Sequence, residues 1–344
     1  MTDASLIKAH RAPRAPAPAV AAARGRAGGA VPTRDPHRLL QLALAALWLL
    51  DGVLRFQPSL FARGLAAPSL AAGTVGDPGW LAGTISWWAG VVQSHPVGAN
   101  TGFGLVQVAL GLGIAWRPTL KAALGVSVGW ALAVWWFGEG LGGLLTGGAS
   151  PLTGAPGAAL LYALAAVLLW PPARDAGPFP AARRIGARAA RVVWSVLWAL
   201  LAYLTVQPAN TAPDAVHDAI ASAAIGTPGW LTALDERAAS LTDGRGLAIA
   251  VVLAAACALV AVSVWLPWSR AVRAGLVAAL VLAALCWMFG QGLGMPYPGM
   301  MDGPGAAPLL ALLAAAYWPA RVLADQDAEA VAARLAVRRA GEAA

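Results

Sequence analysis

Charged side chains are scarce in this sequence. Only 12% of its 344 residues are Asp, Glu, Lys or Arg, whereas 59% are hydrophobic, and the mean hydropathy is +0.65. A soluble domain of this length usually carries about 25% charged residues. The composition therefore excludes a soluble enzyme and indicates a protein whose main solvent is lipid.

Cysteine and histidine are also rare. The two cysteines, Cys257 and Cys286, lie in apolar runs and form no CxxC motif, so a thiol redox centre is not expected. The four histidines lie outside the predicted spans: His10, His37, His95 and His217. Neither a bis-histidine haem nor a histidine proton relay in the bilayer is therefore expected. The sequence also lacks a Walker loop and a dinucleotide-binding fingerprint.

Eight mostly apolar runs are present, and a helix needs about 20 such residues to cross a bilayer. The predicted spans are 38–57, 99–116, 119–140, 156–170, 190–207, 246–266, 272–291 and 304–318. Three polar segments flank or divide them. We expect a disordered basic arm at 1–36, a basic linker at 172–189 and a charged tail at 320–344, all cytoplasmic.

The net charge of +8 comes from short basic blocks between the apolar runs. Such blocks are typical of cytoplasmic loops, so nucleic acid is not expected as a partner. With the N-terminus inside, all Lys and Arg residues fall on the inner side except Arg55, Arg63, Arg237 and Arg245. Both termini are therefore predicted to be cytoplasmic. The Ala, Arg and Gly bias is typical of a GC-rich bacterium, so the expected location is its plasma membrane.

Four motifs recur in the same order, 148 to 152 residues apart. They are LWLLDGVLRFQP (47–58) with LWALLAYLTVQP (197–208), GDPGWL (76–81) with GTPGWL (226–231), FGEGLGG (137–143) with FGQGLGM (289–295), and PGAA (156–159) with PGAA (304–307). This pattern predicts two tandem four-helix repeats at 37–171 and 190–319. An even number of spans per copy makes the copies parallel, related by an axis along the membrane normal.

Each copy has an outer segment, at 58–98 and 208–245, that is too polar to span. Within them, GWLAGTISWWAGVVQ and GWLTALDERAASL have apolar residues at helical spacing, which predicts helices on the outer interface. The tryptophans that would anchor these helices, or that form an ordinary aromatic belt, are Trp80, Trp87, Trp88 and Trp230.

Ionisable residues inside spans are costly and are candidates for function. Asp51 and Arg55 share one face of the first helix and can pair, and Glu139 lies near the outer end of the third. The counterparts in the second copy are Leu201, Thr205 and Gln291. This loss of charge predicts one working site and one supporting half. The alternatives are a satisfied intrahelical pair, with Arg55 reaching outward, and a solvated helix end at Glu139.

Four of the five methionines lie in or beside one outer stretch: Met288, Met295, Met300 and Met301. Thioether sulfurs are ligands that suit Cu(I). Because this stretch contains no His or Cys, a flexible apolar loop is the favoured interpretation, and no metal site is predicted.

The first copy resembles the DoxX-like superfamily of small four-helix membrane proteins. The resemblance covers 38–170 well and 190–318 poorly, and it lies in DGVLRFQP and in GFGLVQVALGLGIAWRPTLKAALG. The residues that match the family pattern are Gly52 and Arg55 in the first motif, and Gln107, Gly111, Gly113 and Arg117 in the second. Gln107 stands where the family usually has an acidic residue.

Some members of that superfamily are small subunits of a thiosulfate:quinone oxidoreductase. The resemblance therefore implies a membrane subunit of a quinone-linked or redox system, with a separate catalytic or redox partner. Asp51, Arg55 and Glu139, with Gln107 and Gln291, are the candidate polar site in the membrane. Two alternatives remain open: a small-solute transporter, which parallel repeats also fit, and a non-catalytic scaffold whose arm and linker bind anionic lipid.

Overall fold

The computed structural model describes residues 35–62, 76–172, 177–225, 227–294 and 303–319. Every regular element in these ranges is helical. The α-helices are α1 (Pro36–Leu54), α2 (Pro58–Ala62), α3 (Gly79–Ser94), α4 (Pro96–Ala115), α5 (Leu120–Phe137), α6 (Ala158–Leu168), α7 (Ala182–Ile185), α8 (Ala187–Thr205), α9 (Ala215–Ala223), α10 (Gly229–Thr242), α11 (Gly246–Ser263), α12 (Ser269–Phe289) and α13 (Ala306–Ala316). Short 3-10 turns lie at Arg117–Thr119, Gly140–Gly143, Pro208–Thr211 and Gly292–Gly294. The predicted all-helical fold is confirmed for this part of the chain.

Six of the helices are long and apolar enough to cross a membrane: α1, α4, α5 with its preceding 3-10 turn, α8, α11 and α12. They contain 18 to 21 residues, or roughly 27–32 Å at 1.5 Å per residue, which matches the hydrocarbon core. Their ends lie within three residues of the predicted spans. Large apolar side chains on their outer faces are exposed, such as Val252 at 67% and Leu259 at 69%. These exposed apolar faces indicate a membrane-embedded protein that contacts lipid.

The predicted spans 156–170 and 304–318 form shorter helices than expected. Helices α6 and α13 have 11 residues each, or about 16 Å, which is half the hydrocarbon thickness. Gly157 and Gly305 precede them with φ of 102° and 80°, outside the helical region, so each helix begins one residue later. Both helices are largely buried, and they pack against each other and against α1. They therefore form the centre of the bundle.

The helices predicted within 58–98 and 208–245 are present as α3 and α10. Each begins at the glycine of its Pro-Gly pair, directly after Pro78 or Pro228. Two short outer helices were not predicted, namely α2 and the amphipathic α9. Helix α9 packs Val216 and Ile220 against Ala239 of α10. The outer segments are thus largely helical where they are described.

Helices α1 and α4 pack closely because two glycines lie at their crossing. A Cβ on Gly52 would lie 2.7 Å from the backbone nitrogen of Val108, and one on Gly111 would lie 2.8 Å from the carbonyl oxygen of Ala45. Small residues at such contacts let helix backbones approach in a membrane. Two of the residues that carry the DoxX-like resemblance therefore serve helix packing.

The linker between the halves packs onto the core. Phe179 is 6% exposed and stacks on Tyr317 with ring centroids 5.2 Å apart. Arg183 forms a 2.8 Å ion pair with Asp35, directly before α1. Helix α8 begins at Ala187, inside the predicted linker of 172–189. The predicted arm at 1–36, except for its last two residues, and the tail at 320–344 lie outside the described residues.

Candidate functional site

A cavity of about 1130 Å³ lies between α1, α3, α4, α5 and α6, with the start of α13 closing one side. Its lining includes all five residues that the sequence singled out: Asp51, Arg55, Gln107, Glu139 and Gln291. The structure therefore brings together groups that are up to 240 positions apart in the chain. The four polar residues of the first half meet Gln291, the one contributed by the second half.

Helix α1 and the residue that ends it place Asp51 and Arg55 on the cavity wall. Asp51 is only 6% exposed, and the hydroxyl of Tyr162 on α6 lies close to its carboxylate. The backbone of Gly303 lies against the same carboxylate, since a Cβ there would be 3.0 Å from Asp51 Oδ1. Arg55 follows one turn later at the helix end, where its carbonyl accepts a 2.7 Å hydrogen bond from Asn100 Nδ2.

Glu139 caps the first turn of α6. The backbone N–H of Ala159 donates to both carboxylate oxygens, at 3.1 and 3.2 Å. A negative group is stabilised there by the unpaired amides and the dipole of the helix. A Cβ on Gly157 would lie 2.1 Å from Glu139 Oε2, so glycine is required at that position. Glu139 is thus bound to a helix terminus, which differs from the solvated helix end considered from the sequence.

Gln291 makes a similar contact at α13, one position earlier in its helix. Its Oε1 accepts from the N–H of Ala306 at 3.2 Å. Beside each cap an indole donates to the carbonyl of the proline that precedes the helix, from Trp135 to Pro156 at 2.7 Å and from Trp287 to Pro304 at 2.9 Å. A neutral amide therefore suffices to cap such a helix, and capping alone does not explain the charge of Glu139.

Several buried polar atoms in the cavity have no hydrogen-bond partner among the described residues. Among them are Asn100 Oδ1, Gln107 Oε1 and Trp130 Nε1. Asn100 is 1% exposed and Gln107 is 5% exposed, and they stand seven residues apart on one face of α4. Buried polar groups are normally paired, so each of these atoms marks a place where a ligand or water can bind.

Sequence reasoning missed Asn100, Trp130 and Tyr162 as site residues. Asn100 could have been found, because it shares the i, i+7 face of a helix with Gln107. Tyr162 is the one polar residue of α6, AALLYALAAVL, which is also a usable signal. Trp130 offers no such signal, because tryptophans are distributed throughout this chain.

Aromatic rings form the remaining walls. Trp48 stacks on Tyr162 with ring centroids 4.1 Å apart, and Phe103 lies 5.1 Å from Trp130. Trp88 joins this group from α3, with its ring 6.3 Å from that of Phe103. The cavity thus combines flat apolar surfaces with charged and amide groups, a combination common in small-molecule sites.

A second cavity of about 120 Å³ lies between the segment 148–155 and helices α8, α9, α11, α12 and α13. The residues 150 positions after Asp51, Arg55, Asn100 and Gln107 are Leu201, Thr205, Ala250 and Cys257. All four line this second cavity. Cys286 also lines it, and neither cysteine forms a disulfide. These four positions carry no charge in the second cavity, and its volume is about a tenth of that of the first.

Candidate metal and haem ligands do not meet in the described residues. Met288 lies on α12, and the other three methionines of the outer stretch lie outside the described ranges. The described residues contain no group of three His, Cys, Asp or Glu placed to hold a metal ion. One expectation about histidine was wrong: α1 begins at Pro36, so His37 lies in its first turn, with Nε2 3.2 Å from the Trp170 carbonyl oxygen.

Two further carboxyl groups, outside the long apolar helices, have buried oxygens. Asp77 and Asp235 lie in the outer segments, and both of their carboxylates have buried oxygens without hydrogen-bond partners among the described residues. Burial raises the pKa of each carboxyl, because removal from water disfavours the charged form.

Comparisons of the chain with known protein families, with curated proteins and with solved structures find no match.

Proposed function

We propose that this protein is a membrane subunit of DoxX-like type that binds a quinone-class ring molecule in the cavity of its first half. The observation that carries the proposal is the pairing of aromatic walls with unpartnered polar atoms at Asn100, Gln107 and Trp130. A quinone head group is a flat ring with polar oxygens, and it needs both kinds of surface. The cavity volume of about 1130 Å³ has room for such a ring and part of a tail.

The proposal includes a separate redox partner. Among the described residues that line the cavity there is no cysteine and no histidine. The electrons exchanged with a bound quinone would therefore come from or go to another subunit docked on this one. The chain's own contribution would be to hold the ring in the membrane and to orient its oxygens.

The proposed architecture is eight crossings in two parallel copies, in a bacterial plasma membrane with both termini cytoplasmic. Support comes from the constant offset of the four motifs and from the matching caps of Glu139 and Gln291. A further parallel is the positive φ of Leu141 and Leu293, 55° and 56°, in the turns that follow α5 and α12. Within each copy, α6 or α13 would complete its crossing together with irregular chain that is covered by protein.

Quinone binding to the purified protein in lipid nanodiscs tests the proposal. We expect saturable binding of one short-chain quinone per chain in equilibrium dialysis, weakened at least tenfold by Asp51→Asn. Asp243→Asn is the matched control, since Asp243 is exposed and lies outside the cavity lining. Absence of saturable binding of both the short-chain quinone and its quinol by the unmodified protein would rule the proposal out.

A transporter for a small solute is the second candidate. It is favoured by the two short helices whose capped first turns lie beside the cavity, because discontinuous helices line the substrate sites of many transporters. Labelled-solute uptake into vesicles containing the protein tests this alternative. Uptake that Asp51→Asn abolishes would favour the transporter over the redox subunit.

A further inference from the structure

The amide of Asn100 is held in one orientation. Its Nδ2 donates to the carbonyl oxygen of Arg55 at 2.7 Å, and the reverse orientation would place two oxygens against each other. Oδ1 must therefore be the atom without a partner among the described residues, on a side chain that is 1% exposed. A buried carbonyl oxygen in this position requires a ligand or water that donates a hydrogen bond.

Gln107 presents a second acceptor on the same face of α4. Its Oε1 is also buried without a partner in the described part of the chain. The two residues stand two helical turns apart, about 10 Å along the axis. Phe103 lies between them and faces Trp130, so a ring that stacks there has an acceptor on either side.

The cavity lining also contains groups that can donate a hydrogen bond, among them the indole of Trp130 and the hydroxyl of Tyr162. Trp130 Nε1 is a donor without a partner among the described residues. A ligand oxygen can accept from Trp130 in any oxidation state, whereas a ligand can pair directly with Asn100 Oδ1 and Gln107 Oε1 only if it carries O–H or N–H groups.

We propose that the cavity selects the reduced, hydroxyl-bearing form of its ring ligand, a quinol, over the oxidised quinone. This inference rests on the proposed function. A quinone offers only acceptors, so it cannot pair with Asn100 Oδ1, nor with Gln107 Oε1 in the orientation that the structure shows. A quinol can donate to both and still accept from Trp130. Sites built to hydrogen-bond a hydroxyl discriminate strongly against the analogue that lacks it.

The test compares the two forms of one short-chain benzoquinone, oxidised in air and reduced under anaerobic conditions, on the full chain in nanodiscs. We expect the quinol to bind at least tenfold more tightly than the quinone. By thermodynamic linkage, the midpoint potential of the bound two-electron couple should then rise by about 30 mV for each tenfold difference. Redox titration of the bound ring provides this second measurement.

Variants at position 107 separate a hydrogen-bonding role from a packing role. Gln107→Leu, similar in size without polar atoms, should lose most of the quinol preference while quinone binding stays within threefold. Gln107→Glu keeps the acceptors and should retain the preference. Thr205→Val is the matched control, since it removes a hydroxyl from the second cavity and should change neither affinity.

The outcomes distinguish this inference from the proposed function. Equal affinity for quinol and quinone would overturn the preference and leave quinone-class binding intact. An equal loss of both affinities in Gln107→Leu would also overturn it, because the residue would then shape the cavity without discriminating between the forms. Failure of both forms to bind would contradict the proposed function itself.

Discussion

At the scale of single residues, Glu139 and Gln291 form a natural comparison. Each accepts from the first turn of a short central helix, through a carboxylate in one half and an amide in the other. The sequence indicates that both positions belong to one motif, FGxGLG, but it does not show what either side chain contacts. The capping partner is 20 residues away at Ala159 and 15 residues away at Ala306, so only the folded chain identifies it.

Substitution of Glu139 tests how much of its role is capping. We expect Glu139→Gln to keep the thermal midpoint of the protein close to that of the parent, because an amide oxygen already caps α13 at Gln291. Glu139→Ala should cost about 0.5–2 kcal/mol of stability, the usual effect of losing an N-terminal cap. Thermal unfolding in nanodiscs measures both, and equal losses in the two variants would contradict the capping role.

Asp235 gives a prediction about pH. The residue is fully buried on α10, and burial raises the pKa of its carboxyl above the ordinary value of 3.8. The folded state thus binds the proton more tightly than the unfolded state, so this group's contribution to stability is complete below pH 3.8 and is lost as pH rises through the raised pKa.

We expect Asp235→Asn to stabilise the protein near neutral pH and to have little effect near pH 4. Thermal midpoints measured from pH 4 to pH 7 should fall less steeply for the variant than for the parent. Asp243→Asn is a suitable control, because Asp243 is exposed on the same outer segment. Parallel pH curves for the variant and the parent would show that Asp235 does not titrate in this range.

At the scale of elements, periodicity and length predicted the long helices well. Their ends differ from prediction by three residues or fewer, because apolar runs bounded by proline, glycine or basic residues specify a helix locally. The short helices α6 and α13 were predicted too long. Their neighbours Gly157 and Gly305 adopt positive φ, and the contacts that require this conformation come from other helices.

Glycines on α4 provide a test of element packing. A Cβ at Gly111 would lie 2.5 Å from Leu49 Cγ on α1, whereas one at Gly102 would have no neighbour within 4 Å. We expect Gly111→Ala to reduce the thermal midpoint and the yield of folded protein. Gly102→Ala, in the same helix, should be neutral or stabilising by up to about 1 kcal/mol, since alanine favours helix over glycine. Similar behaviour of the two variants would contradict close packing of α1 on α4.

At the scale of the whole molecule, orientation is the most direct prediction. The basic blocks predict that the linker and both termini face the cytoplasm. A fluorescent-protein fusion after Ala344 should fluoresce, and an alkaline phosphatase fusion at the same position should be inactive. A cysteine introduced at Asp243, in the outer segment, should react with an impermeant maleimide in intact cells. Labelling of a cysteine introduced in the linker by the same reagent in intact cells would contradict the proposed topology.

The two halves also differ in what they enclose. The cavity of about 1130 Å³ is lined by Asp51, Arg55, Asn100 and Gln107, and the cavity of about 120 Å³ by the residues 150 positions later, Leu201, Thr205, Ala250 and Cys257. The charge difference behind this contrast could be read directly from the two aligned segments. The volumes could not, because a cavity depends on how side chains from five or more helices fill the space between them.

The sequence by itself determined the apolar composition, the positions of the long helices and the polar residues that are out of place in a membrane. Those properties are local, since they depend on the length of apolar runs and on the cost of a charge in lipid. Tertiary structure decided that Asp51, Gln107, Glu139 and Gln291 meet, and that Asn100 and Trp130 join them. Their meeting depends on packing among helices far apart in the chain, and no local pattern encodes those contacts.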